Sequence, residues 1–262
     1  MMRALWTAGS GMQAQQNNID VISNNIANVN TTGFKKQRAE FQDLMYQTMR
    51  QAGSTTGADT QLPTGLQMGH GVRMSATNTI HTQGSPQSTG NPLDMEISGE
   101  GFFQITLPDG TIGYTRDGSF KRDSDGRIVT SDGYPLEPQI TIPSNTTDIT
   151  ISADGRVSAT IPGQTATEEI GQIELARFVN PAGLSRTGQN LYTETEASGA
   201  PTTNAAGTDG AGTIVQQFLE MSNVQIVDEM VNMIVAQRAY ETNSKAITTS
   251  DSMLEIANGL KR

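Results

Sequence analysis

Two stretches, one near each end of the chain, carry the hydrophobic period of a helix. The long middle carries that of strands. Leu5, Ala8, Met12, Gln15, Ile19, Ile22, Ile26 and Val29 recur at alternating spacings of three and four, which is the a/d seam of a coiled coil and not a strand pattern. The spacing predicts a helix from about Ala4 to near Asn30, on the order of 40 Å long. Thr31-Thr32-Gly33 form the stop signal, with Gly33 left-handed. A single helix cannot bury its own stripe, so this one needs a partner. The only other long helical pattern runs from about Ser222 to Gly259. Ser222 and Gln225 read as a capping box there, with Asp228 and Glu229 in the early turns. Its seam passes through Ile226, Met230, Met233, Gln237, Tyr240, Ser244, Ile247, Asp251, Leu254 and Asn258, six of the ten apolar. Val227, Val231, Ile234 and Val235 lie off that seam, so the first half of this helix is apolar on more than one face. In a chain with little other helix, those faces must be covered by other copies or other proteins. The first helix is also rich in weak formers (Gly9, Gly11, Asn17, Asn18, Asn24, Asn25, Asn28), which implies that it is loose until packed. The expected assembly interface is therefore Leu5, Met12, Ile19, Ile22, Ile26 and Val29 with Ile226, Met230, Met233, Ile234, Tyr240, Ile247 and Leu254.

Between these ends the period changes to two. Phe103, Ile105 and Leu107 alternate with polar residues, as do Ile149 and Ile151, Val157, Ala159 and Ile161, and Ile173 and Leu175. Asp-Gly pairs at Asp109-Gly110, Asp117-Gly118, Asp125-Gly126, Asp132-Gly133 and Asp154-Gly155 punctuate the region. Asp-Gly between alternating runs is a strong hairpin signal, so a meander of short antiparallel strands is expected over residues 75–217. Phe34–Arg50 fits a short helix or an extended arm equally well. Gln51–Gly71 is rich in Gly, Ser, Thr and Gln and reads as a long loop or a protruding hairpin. Ser198–Gly212 is of low complexity and reads as a flexible connection. The predicted fold is α+β: paired N- and C-terminal helices (1–30 with 222–262) carry a central all-β antiparallel domain (75–217), with 31–74 as a connecting segment.

Composition narrows the function. Net charge is −10 over 262 residues, with no basic run of the kind a nucleic-acid binder displays. The absence of cysteine removes disulfides, thiolate metal sites and cysteine nucleophiles together. No run is long and apolar enough for a membrane helix, and Gly9, Ser10, Gly11 and Gln13 interrupt the N-terminal stretch where a cleaved signal would need its apolar region. The phosphate-loop, dinucleotide and zinc-protease motifs are missing. The two histidines, His70 and His81, have no clustered carboxylates. Asp123, Asp125 and Gly126 mimic part of a calcium loop, but Lys121 falls at the first ligand position and Asp132 at the last, so a hairpin turn is the better reading. Asp94 and Glu96 share a strand and read as solvated carboxylates, the alternative being an acid/base pair on glycan. A second alternative is a binding module in which Phe102, Phe103 or Tyr114 meets carbohydrate. No catalytic residue, metal or cofactor is expected.

Three blocks then resemble one family. ALWTAGSGMQAQQNNIDVISNNIANVNTTGFKK at the N-terminus and MSNVQIVDEMVNMIVAQRAYETNSKAI near the C-terminus resemble the two signatures of the bacterial flagellar rod and hook proteins. ISGEGFFQI with YTRDGSFKRDSDGRIVTSDGYPL resembles their shared β-domain motif. The segment LPTGLQMGHGVR, with Leu62, Pro63, Gly65, Leu66, Gly69 and Gly71, is similar to the extra stretch of the distal rod branch; a proximal rod or hook-type member is the alternative. The resemblance implies a non-enzymatic subunit that self-assembles into a hollow helical rod. Such a rod transmits torque from motor to hook and carries the export channel. Implied partners are further copies, proximal rod proteins, the hook protein or hook junction, the periplasmic and outer-membrane bushing rings, and the flagellar type III export apparatus. Neither nucleic acid nor membrane insertion is implied. The implied location is the basal-body rod across the periplasm, reached without a cleaved signal peptide.

Overall fold

The computed structural model describes residues 2–53, 55–57, 60–61, 63–162 and 167–259. The chain divides into two units: one of residues 1–27, 37–78 and 225–262, the other of residues 28–36 and 79–224.

The first unit is built on two helices, α1 (Met2–Ala27) and α2 (Ile226–Gly259). They pack antiparallel. Asn25 Nδ2 donates to Glu229 Oε2 at 3.3 Å, and fourteen residues back along α1 a Cβ added at Gly11 would stand 2.8 Å from Asn243 Nδ2. Ala8, Ala14, Ile22 and Asn25 of α1 are buried, as are Glu229, Ala236 and Ser250 of α2. Met233, Asn243, Ile247 and Leu254 are half-buried. These residues of α2 obey the expected three-four spacing, but half of the seam is shifted by one residue. Small or polar Glu229, Ala236, Asn243 and Ser250 face α1 where Met230, Gln237, Ser244 and Asp251 were expected. A close helix approach favours small side chains, so the bulky Met230 and Ile226 turn outward. The expected capping box is also displaced: the Gln225 carbonyl accepts from Glu229 N, opening the helix, while Ser222 Oγ accepts from Val224 N.

Strands β1 (Gln37–Asp43), β2 (Tyr46–Arg50), β3 (Thr55–Gly57), β4 (Thr60–Gln61), β5 (Leu66–Gly69) and β6 (Val72–Thr79) complete this unit. β1 pairs with β6, β2 with β5, and β3 with β4, so among the described residues of 37–79 the chain forms extended ribbons and no helix. Asn25 fixes the start of β1. Its Nδ2 donates to the Gln37 carbonyl at 2.8 Å and its Oδ1 accepts from Gln37 N at 2.9 Å, which copies the exchange of bonds between paired strands.

The second unit holds the larger core. Its main sheet runs, in order, Ser185–Gly188, Leu191–Thr193, Ile112–Thr115, Phe102–Thr106, Glu174–Arg177 and Thr202–Ala205, with Leu136–Glu137 also paired to Phe102–Thr106. Phe103, Ile105, Leu136 and Leu175 on one face are fully buried, with Met95, Ile97, Phe120 and Ile128 packed among them. A smaller cluster of Phe102, Tyr114, Phe178 and Tyr192 fills the other face. Shorter ribbons of Asp148–Ile151, Arg156–Thr160 and Glu168–Gln172 and of Met95–Ser98 with Thr213–Gln216 surround it.

Four of the five Asp-Gly pairs sit where a chain reversal was expected, and Gly110, Gly126, Gly133 and Gly155 all take positive φ. Asp117-Gly118 does not make such a turn; the Gly118 carbonyl accepts from Met95 N and Phe120 N. Ser198–Gly212 differs most from its compositional reading. Thr202–Ala205 is an edge strand paired along Glu174–Arg177, and Ser198, Ala206 and Ala211 are buried. Small residues that look like linker here allow the edge to pack closely.

Candidate assembly surface and buried ionic cluster

On α2 the outward face of the first three turns is apolar. Ile226, Val227, Met230, Val231, Ile234 and Val235 are all exposed, Val227 to 73% and Val235 to 63%. Contiguous apolar surface of this kind marks an interaction site. The residues alternate in pairs at i, i+1, i+4 and i+5, so they form one broad stripe. Past the exposed Met2 and Trp6 at its start, the free face of α1 is different: Gln13, Gln16, Asp20, Ser23 and Asn24 are exposed. The helical pair therefore offers one apolar and one polar side.

Twelve of the thirteen expected interface residues fall into two sets. Ile22 is buried, and Leu5, Met12, Ile19, Ile26, Met233, Ile247 and Leu254 are half-buried, within the chain's own helical unit. Ile226, Met230, Ile234 and Tyr240 are exposed. Val29 lies beyond the end of α1, within the second unit. Of the expected 51–71 segment, Pro63, Gly65, Leu66 and Gly69 are exposed and Leu62 lies outside the described residues. Gly71 has φ +114 and abuts Ser10 of α1; its carbonyl accepts from Leu44 N at 2.9 Å. Exposed Tyr46, Met49 and Met68 accompany Leu66 on the β2–β5 ribbon, with exposed Met45 just before it.

Sequence reasoning missed a buried ionic cluster in the second unit. Lys35, fully buried, pairs with the Glu220 carboxylate and donates to the Thr82 carbonyl at 2.8 Å. Glu220 also accepts from Gly84 N at 2.8 Å and from Arg116 Nη1 at 3.4 Å. Arg116, 4% exposed, donates to the Gly99 carbonyl at 2.7 Å. Glu96 accepts from Gln83 at 2.8 Å, and burial pushes its carboxyl above the usual range. Burial lowers the Lys35 ammonium, with Glu220 opposing the shift. His81 lies beside Phe102 and Tyr192; burial and then the nearby Lys35, Arg116 and Arg186 hold it down at about 4. Charged residues in a loop-rich sequence read as surface, so nothing in the pattern singled these out.

Asp94 is buried, accepting from Thr89 at 2.6 Å and Asn91 at 2.8 Å, and Glu96 is 2% exposed; neither is a solvated carboxylate, because each is held by local hydrogen bonds. Phe102, Phe103 and Tyr114 are all core residues, at most 3% exposed, so they present no aromatic platform. Asp123 and Asp125 both bind Arg127, at 3.2 and 3.0 Å, which puts a guanidinium where a calcium ion would need to sit. Among the described residues no group of three or more His, Asp or Glu is arranged to hold a metal. A cavity of about 530 Å³ opens beside His81, Phe102, Arg116 and Phe178. Its rim cation, Arg177, is already paired with Glu100 at 2.8 Å and the Asp209 carbonyl at 3.2 Å.

Residues 5–35 match the flagella basal body rod protein family, residues 96–159 the flagellar hook protein FlgE/F/G D1 domain, and residues 215–260 the C-terminal domain of the flagellar basal body rod FlgEFG proteins. The chain is 57% identical to the flagellar basal-body rod protein FlgG of Borreliella burgdorferi, covering all of both chains. It is 52% identical to FlgG of Caulobacter vibrioides over 99% of this chain and all of that one, and 44% identical to FlgG of Bacillus subtilis over both full lengths. The chain belongs to the flagellar basal-body rod protein family. In this FlgG-like chain the N-terminal family match covers α1 from Leu5 onward and runs on to the buried Lys35. The C-terminal match begins in the strand before Glu220 and takes in the whole of α2. The two terminal signatures of the rod family therefore include both halves of the helical unit and both partners of the buried ion pair.

Proposed function

We propose that this chain is a self-assembling structural subunit of the flagellar basal body, forming the hollow helical distal rod. The observation that carries the reading is the exposed stripe Ile226–Val235 on α2 beside a polar α1. An apolar helical face of that width is unfavourable in water and is buried when copies associate. The polar face of α1, with its Gln, Asn and Ser side chains, suits the wall of a water-filled channel. No part of this role requires catalysis; the subunit works as a mechanical element that passes torque from motor to hook. Identities of 44–57% to FlgG chains over full length support the distal rod over the proximal or hook-type alternative. Further copies, proximal rod proteins, the hook or its junction, the bushing rings and the type III export apparatus are the corresponding partners, and export without a cleaved signal is the corresponding route.

The test is electron microscopy of the purified protein as concentration is raised. Wild type is expected to form hollow helical tubes. Val231→Glu with Val235→Glu, both on exposed positions, is expected to keep the single-chain fold and to abolish tubes. Discrete small oligomers of the wild type at every concentration would overturn the reading.

A further inference from the structure

Arg3 stands in the first turn of α1, with no acidic residue beside it there. A cation at this end of a helix opposes the macrodipole. Among the described residues no carboxylate lies within ion-pair distance of its guanidinium. Its Nη1 lies instead 3.4 Å from Met68 Sδ and 3.7 Å from Met49 Sδ. The two methionines come from β5 and β2, and the register shift between Thr48 and Arg50 takes Met49 out of the regular pairing. Both remain open to solvent, Met49 to 54% and Met68 to 43%. A charged donor is thus held against two thioethers, which are weak acceptors.

We propose that Met49 and Met68 form an oxidation site whose product, a methionine sulfoxide, latches the start of α1 to the β2–β5 ribbon through Arg3. The reagent is a peroxide. A sulfur lone pair attacks one oxygen of hydrogen peroxide, the S–O bond forms as the O–O bond breaks, and the second oxygen departs as water with both hydrogens. Sulfur gives up two electrons and the peroxide takes them. With Met68 Sδ already 3.4 Å from Nη1, rotation of the side chain brings the new oxygen to the ~2.8 Å of a charge-assisted hydrogen bond. Such bonds are about twice as strong as those between neutral groups. The latch acts where α1 is weak, because Gly9 and Gly11 follow closely and lower the helix propensity there. Other exposed methionines lack this arrangement. Among the described residues no cation donates to the sulfur of Met45 or Met253, exposed to 87% and 46%. Reductases that act on methionine sulfoxide reverse the change, so the latch can be released. It lies within one chain and does not depend on the polymer reading.

The test uses dilute full-length protein treated with hydrogen peroxide, with sulfoxides placed by peptide mass spectrometry and α1 followed by hydrogen exchange. Met95 is fully buried and stays unoxidised while the second unit is folded, which sets the limit of treatment. Oxidation at Met49 or Met68 is expected to slow exchange of the Trp6–Ser10 amides about fivefold or more, and methionine sulfoxide reductase is expected to restore the starting rate. Arg3→Leu is expected to oxidise at the same methionines with no slowing. Met49→Leu with Met68→Leu, close in volume and at exposed positions, is expected to lose the response while Met45 and Met253 still oxidise. Unchanged or faster exchange in the oxidised wild type overturns the latch, as does failure of both methionines to oxidise before Met95. Slowing that persists in Arg3→Leu or in the double variant overturns it equally, since the effect would then lie elsewhere.

Discussion

Lys35 and Glu220 stand 185 residues apart and form an ion pair in which neither side chain is exposed. Glu220 is the hub, since it also accepts from Arg116 and Gly84 N, while its backbone carbonyl accepts from Gly33 N at 2.8 Å. Removing one partner of a buried pair leaves an uncompensated charge and costs about 3–5 kcal/mol. Glu220→Gln strands both Lys35 and Arg116, so it is expected to fall in that range. Lys35→Met is expected to cost less, because Arg116 still balances the carboxylate. Urea denaturation of the two variants checks the order; equal losses would mean that Arg116 does not share the charge.

Stability should depend on pH through His81. Its folded value of about 4 lies below the unfolded 6.5. The unfolded chain therefore binds the proton more tightly, and the neutral ring's contribution is complete above about pH 7.5. It is lost as pH falls through 6.5 toward 4, by no more than about 3.4 kcal/mol at 1.36 kcal/mol per pKa unit. Glu96 works the other way, because its raised carboxyl takes up a proton in the folded state first and offsets part of the loss. Denaturant midpoints at pH 7.5 and 5 are expected to drop for wild type and to converge for His81→Leu. An unchanged pH dependence in that variant would assign the effect elsewhere.

Much of this arrangement is legible in the residue pattern, and the omissions have physical reasons. The Asp-Gly turns were readable because turn chemistry is local: Gly110 and Gly155 need positive φ wherever the strands go. The edge strand Thr202–Ala205 was not, because its pairing with Glu174–Arg177 lies across a long separation and its residues have no alternation. On α2 the period was readable and the phase was not. Seam position depends on what the partner helix tolerates, and α1 with Gly11 accepts Asn243 where a hydropathy pattern favours the bulkier neighbours. Lys35, Arg116 and Glu220 were invisible for the same kind of reason. A charge is buried only when its counter-charge is brought to it, and that is a property of the fold.

Gly33 is expected to be among the least replaceable glycines. It has φ +67, and a Cβ there would stand 2.5 Å from Asp117 N and 2.7 Å from the Arg116 carbonyl carbon. Gly33→Ala adds left-handed strain to a backbone clash and is expected to cost more than about 2 kcal/mol. Gly133 is the control. Its φ is +89 but nothing lies within 4 Å of an added Cβ, so Gly133→Ala is expected to cost about 1 kcal/mol from strain alone. Thermal melts of the two variants separate steric from conformational cost, and similar melting temperatures would show that the Gly33 turn relaxes.

Asn25 offers the sharpest test of the helical unit. It is 1% exposed, holds both backbone groups of Gln37 at 2.8 and 2.9 Å, and reaches Glu229 at 3.3 Å. Asn25→Ala leaves the Gln37 groups and the Glu229 carboxylate with fewer partners. A buried polar group left unmatched costs about 1–3 kcal/mol, and the Gln37 amide should lose its hydrogen-exchange protection. Asn25→Asp separates the roles further. A carboxylate still accepts from Gln37 N, but it cannot donate to the Gln37 carbonyl and it places a second negative charge against Glu229. At pH 7 this variant is therefore expected to be less stable than Asn25→Ala despite its closer shape. Lowering the pH should then restore it, because two adjacent carboxylates share a proton readily. Gln37 protection that stays at the wild-type level in Asn25→Ala would mean that β1 is held by its pairing with β6 and that the Asn25 clamp is dispensable.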